Sequence, residues 1–95
     1  MTEASSPQRR HVLYEGMVQG VGFRYAARRI ASRFAVTGYV KNLPDGRVEL
    51  VVEGMPEDLD GFLEAIGDQM GDYVRRTGVT DSPATGQFRQ FEIRF

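Results

Sequence analysis

Two stretches of this chain place apolar residues at helical spacing, and each is flanked by segments whose apolar residues alternate; that sequence of periods constrains the fold more than any other feature. In the first, Phe23, Ala26, Ala27, Ile30, Ala31 and Phe34 share one helix face, and Arg24, Arg28, Arg29 and Arg33 occupy the other. In the second, Leu59, Phe62, Leu63, Ile66 and Met70 form the stripe, after a proline, Pro56, that suits a first helical turn. Its polar face is acidic, with Glu57, Asp58, Asp60, Glu64 and Asp68. The two polar faces read as solvated surfaces of complementary sign that lie side by side.

Between and around these helices the period is two. Residues 11–18 read as a strand with Val12, Tyr14, Gly16 and Val18 on one face and Leu13 and Met17 on the other, which suits an interior position. Residues 36–42 and 47–53 read as a hairpin closed by Leu43-Pro44-Asp45-Gly46, with Val48, Leu50 and Val52 facing one way and a positive φ expected at Gly46. Residues 73–79 are a strand of weaker pattern, residues 80–86 a loop, and Phe91, Ile93 and Phe95 alternate in a closing strand. Residues 1–9 show no period and are expected to form a flexible tail, leaving residues 10–95 as the domain. The order predicts an α+β fold: a ferredoxin-like split βαβ sandwich with an antiparallel sheet of four to five strands and both helices on one face.

With 95 residues, 41% of them hydrophobic, the chain has enough for one modest core and too little for a second domain. A net charge of −1 gives no electrostatic reason to expect nucleic acid or an anionic membrane as partner. The absence of cysteine excludes disulfides, thiolate metal sites and a thiol nucleophile. The polar start lacks the apolar stretch of a signal peptide and no later run is long enough to span a bilayer, so a cytoplasmic protein acting on a small molecule is expected.

The topology itself locates a site. In a split βαβ unit the first two strands run parallel with a third between them, so their C-terminal ends emerge together, roughly 10 Å apart. One end carries the glycine-rich segment Gln19, Gly20, Val21, Gly22, Phe23, which runs into a helix N-terminus where free N–H groups and the dipole favour an anion. Arg24 falls in that first turn, where a cation is the wrong charge unless an anion binds there. The other end carries Asn42, which by itself reads equally well as a turn residue. His11, the only histidine, lies far along its strand from this edge, and no pairing for a metal or a hydrolase triad is present. A site so sparse suits an acyl phosphate, whose carboxylate leaving group needs no general acid.

At these residues the chain resembles the acylphosphatase family. Gly16-Met17-Val18-Gln19-Gly20-Val21-Gly22-Phe23-Arg24 is similar to that family's first signature, and Gly38-Tyr39-Val40-Lys41-Asn42-Leu43-Pro44-Asp45-Gly46-Arg47-Val48, with Gly54 beyond it, to its second. The resemblance implies that Arg24 and the loop amides of residues 19–24 bind phosphate and that Asn42 orients the nucleophilic water. It also implies a monomer that works without cofactor or metal on substrates such as carbamoyl phosphate. Tyr14, Ala35 and Gly71-Asp72 depart from the family's usual residues, none of them at the expected site.

Two other readings stay open. An RNA-recognition domain shares this element order, although residues 47–53 carry no aromatic on which to stack a base. An inactive domain that senses an anion through the same loop would also use Arg24.

Overall fold

The computed structural model describes residues 6–95, in the order β1 (Gln8–Gly16), α1 (Phe23–Ala31), β2 (Val36–Asn42), β3 (Val48–Gly54), α2 (Pro56–Met70), a single 3-10 turn (Gly71–Tyr73), β4 (Val74–Pro83) and β5 (Phe91–Arg94). The sheet order is β4-β1-β3-β2-β5. Strand β3 takes the middle because it is apolar on both sides: Val48, Leu50 and Val52 enter the main core, and Val51 is buried on the opposite face. Val12 and Tyr14 of β1 and Val36 and Val40 of β2 join the same core, against the buried stripes of α1 and α2. Both helices therefore cover one face, as the apolar spacing predicts.

The α2 stripe carries an aromatic cluster. Phe62 is fully buried and meets Phe34, which follows α1, at 6.3 Å between ring centroids, and Phe91 of β5 at 5.4 Å. One side chain thus joins α2 to the segment after α1 and to the last strand, worth about 3–5 kcal/mol by the usual cost of truncating a buried phenylalanine.

Four expectations are corrected. The sheet is mixed rather than antiparallel, because β5 pairs parallel to β2. The reason is the path of the chain: β4 ends opposite Gln8 on one edge, residues 84–90 cross to the other edge, and the chain enters there beside Gly38, whose N–H donates to the Gln90 carbonyl at 3.0 Å. From that point only the direction of β2 is open to it. Secondly, β4 continues through residues read as a loop, since Thr80 to Pro83 pair with His11 to Gln8. Being exposed, they carry no alternation to read. Thirdly, β1 starts at Gln8 and stops at Gly16, where the register with β4 shifts and a Cβ would strike the Tyr73 carbonyl. Two residues of the expected tail, Gln8 and Arg9, are therefore strand, while residues 1–5 of it lie outside the described residues. Finally, the arginines of α1 and the acids of α2 form no ion pair with one another among the described residues; Asp60 pairs with Arg10 of β1. These faces are solvated, as expected, but they do not complement each other by contact.

The crossing segment is fastened by Glu53, a 4% exposed carboxylate near the end of β3. It accepts hydrogen bonds from the backbone N–H of Thr85 (3.0 Å) and Gly86 (2.9 Å), the Thr85 hydroxyl (2.9 Å) and the Arg9 guanidinium (2.7 Å). Burial alone pushes this carboxyl up, but the Thr85 amide, Arg9, the Gly86 amide and the Thr85 hydroxyl together outweigh it and hold the group at about 2, below its ordinary 4.5.

A depressed carboxyl stabilises the fold above its unfolded value and stops doing so as pH falls through the folded one. Glu53→Gln should therefore lower stability at pH 7 by about 1–3 kcal/mol. In denaturant titrations the gap to wild type should close as pH drops from about 4.5 toward 2; a gap that persists unchanged at pH 2 would exclude this origin.

Candidate active site

The chain leaves β1 at Gly16 and reaches α1 through residues 17–22. Gly20 and Gly22 have φ of 78° and 80°, the left-handed region that side-chain-bearing residues avoid, and with Val21 between them they curl the backbone into a cradle. Gly22 is the N-cap of α1 and offers no side chain to the helix; the first helical hydrogen bond runs from the Ala26 N–H to the Gly22 carbonyl at 3.0 Å. The N–H groups of residues 20–24 find no acceptor among the described residues. Phe23 fixes the cradle to the sheet by packing its ring 4.8 Å from that of Tyr14, which gives the unusual tyrosine of β1 a packing role.

The electrostatics of this helix start are the reverse of the usual pattern. α2 carries Glu57 and Asp58 in its first turn, whereas α1 has no acid there and places Arg24 instead. Dipole, N–H groups without an acceptor among the described residues and the Arg24 cation all add positive charge at this helix start, an arrangement that an anion would relieve.

Two ties hold the other parts of the site around this point. The Gln19 side-chain amide donates to the carbonyls of Leu43 (2.8 Å) and Arg47 (2.9 Å), linking the cradle to the hairpin turn that follows β2. The Arg24 guanidinium donates from Nη1 to the Arg94 carbonyl at 3.5 Å and lies over the Phe95 ring, 4.8 Å from its centroid. Arg94 is aligned with Lys41 across the β2–β5 ladder. One tie thus reaches Leu43, directly after Asn42, the last residue of β2, and the other reaches the strand paired beside Lys41. Asn42 has the parity of Val36 and Val40, whose side chains face the helices, and its carboxamide makes no hydrogen bond among the described residues.

The structure therefore brings residues 19–24 and Asn42 to one end of the sheet. Gln19, expected among the phosphate ligands, has its side chain committed to the turn. Arg94 and Phe95 escaped the sequence reading because alternation in the last strand signals only pairing. His11 belongs elsewhere, on the face opposite the helices, with Nε2 2.9 Å from a Glu49 oxygen whose carboxylate also accepts from the Tyr39 hydroxyl at 3.1 Å. Surface clefts beside β4, one of about 270 Å³ bordered by Tyr14, Gly71 and Thr77 and one of about 350 Å³ bordered by Met17, Tyr73 and Arg75, include none of residues 19–24.

Residues 10–93 match the family model described as Acylphosphatase. The chain is 47% identical over 88 residues to the acylphosphatase of Methylococcus capsulatus (strain Bath), an alignment covering 90% of this chain and 95% of that one. It is 42% identical over 87 residues to the acylphosphatase of Bacillus velezensis, covering 90% and 96%. Among solved structures, the crystal structure of acylphosphatase from Bacillus subtilis superposes with a TM-score of 0.85 at 35% identity, covering 93% of this chain and 99% of that one.

A Cβ at Gly22 would meet nothing within 4 Å, so its substitution tests backbone conformation alone. Gly22→Ala should cost about 1–2 kcal/mol of stability by urea titration. It should also weaken binding of inorganic phosphate in a calorimetric titration; unaltered phosphate affinity would separate the cradle from anion binding.

Proposed function

The chain belongs to the acylphosphatase family and is an enzyme that hydrolyses acyl phosphates, and we propose that Arg24 and the backbone of residues 19–24 hold the phosphoryl group while Asn42 orients the attacking water. The observation that carries this reading is that a cation and N–H groups without an acceptor among the described residues share one helix N-terminus, at the end of the sheet where β2 ends in Asn42, whose carboxamide makes no hydrogen bond among those residues.

Three phosphoryl oxygens can be met by the N–H groups of the cradle and by the planar fork of Arg24, which neutralise charge and fix the orientation of the phosphorus. Asn42, at the end of β2, offers a carbonyl and an amide with which to hold one water on the face away from the leaving group. The water oxygen attacks phosphorus, the bond from phosphorus to the acyl oxygen breaks, and the electron pair leaves with the carboxylate. Both water protons remain on the product phosphate. A carboxylate is stable once expelled, so no side chain has to protonate it, and positioning with charge stabilisation is sufficient. Nothing in this sequence of steps calls for a metal ion or a cofactor.

Hydrolysis of benzoyl phosphate in the presence of a chelator tests the reading. Wild type should turn over, and a folded Arg24→Ala variant should lose on the order of 10²–10³-fold in kcat/KM. If folded wild type is inactive while phosphate still binds, the anion-sensing alternative replaces catalysis. Asn42→Ala should lower kcat by on the order of 10²-fold with phosphate affinity retained, and an unchanged kcat would remove Asn42 from the mechanism.

A further inference from the structure

Arg24 is held by the last two residues of the chain, and those residues are held by a segment anchored at the far end of the sheet. β5 is a four-residue strand at the sheet's edge, paired among the described residues only to β2, and too short to set its own register firmly. What fixes where it begins is the crossing segment: Thr85 and Gly86 are clasped by Glu53, and Arg9 reaches both Glu53 and the Thr85 hydroxyl. Further along, Phe88 packs against Tyr39 of β2 at 5.9 Å, and the Arg94 guanidinium lies over the Tyr39 ring at 4.2 Å. The Arg94 carbonyl and the Phe95 ring then receive Arg24.

We propose that Glu53 is a positioning residue for Arg24: by clasping residues 85–86 it sets the register of β5, and the end of β5 sets where the guanidinium rests. The inference builds on Arg24 as the phosphoryl ligand. A slip of one residue in β5 would turn Arg94 and Phe95 to opposite faces and withdraw both of the contacts that Arg24 makes. The clasp is a buried carboxylate with four donors on it, so the register is held by charge-assisted bonds rather than by the short ladder. Misplacing a ligand by about an ångström is enough to cost a large factor in binding or rate.

The test compares Glu53→Gln, Arg24→Ala and the double variant by titration with inorganic phosphate and by benzoyl phosphate kinetics at pH 7. In folded Glu53→Gln, KM and the phosphate dissociation constant should rise together on the order of tenfold. In the Arg24→Ala background the same change should add less than about twofold, because the two residues act through one contact. Thr85→Val, which removes the hydroxyl lodged between Arg9 and Glu53, should shift both constants in the same sense and takes the place of Glu53→Gln should that variant not fold. The Arg24 Nε–H resonance in NMR spectra separates the clasp from the ligand assignment: it should move in Glu53→Gln whatever Arg24 contributes to phosphate. Wild-type phosphate affinity with an unmoved resonance in the clasp variant overturns the proposal, as does an equal effect with and without Arg24. An Arg24→Ala variant that keeps wild-type phosphate affinity overturns the ligand assignment instead.

Discussion

Everything at the site depends on β3 pairing antiparallel with both β1 and β2. That single constraint makes the outer two parallel, brings their C-terminal ends to one edge and sets them two strand spacings apart, roughly 10 Å. A glycine cradle follows one of those ends and an asparagine closes the other. Gln19 closes the gap mechanically, because its amide reaches the turn after Asn42. The parts of the candidate site come from separate stretches of the chain, but their spacing is a property of the sheet.

How much of this could be read in advance follows from burial. β2 and the body of α2 appear where periodicity puts them, since each buries one face and leaves the other in water, the condition under which a pattern exists at all. β4 beyond Val79 and the first residues of β1 are exposed or half-buried on both faces, so the pairing of Gln8 with Pro83 leaves no mark on hydrophobicity. The place of Arg24 in the first turn of α1 was legible from the helical spacing, and it stands out because a cation at a helix start contradicts the dipole. Glu53 was illegible for the opposite reason. An acid near the end of a strand looks solvated, and only the tertiary path of residues 84–90 buries it.

The charges of the two helices illustrate the same limit. Their composition suggests attraction between a basic and an acidic face, yet the ion pairs of the structure form elsewhere, within and beside the sheet. Exposed pairs on adjacent helices gain too little to immobilise long side chains. The consequence for function is that Arg24, Arg28, Arg29 and Arg33 leave their side of α1 positive and without a salt-bridge partner among the described residues. No ion pair among the described residues cancels that charge, which leaves α1 with a field that favours an anion.

A reaction with a good leaving group shifts the demands on a protein from chemistry to placement. Without a proton to deliver, the enzyme needs an oriented water, a held phosphorus and matched charge, and each of those is a matter of where a few groups stand. Small folds meet such demands through their framework, because they have no second layer of residues to spare for the purpose. In this chain the three strand ends at the site belong to β1, β2 and β5, and β5 is the weakest of them. A buried carboxylate that fixes the crossing segment strengthens that weak member without occupying any space near the substrate, which is why a residue at the remote end of the sheet can matter to the reaction at all.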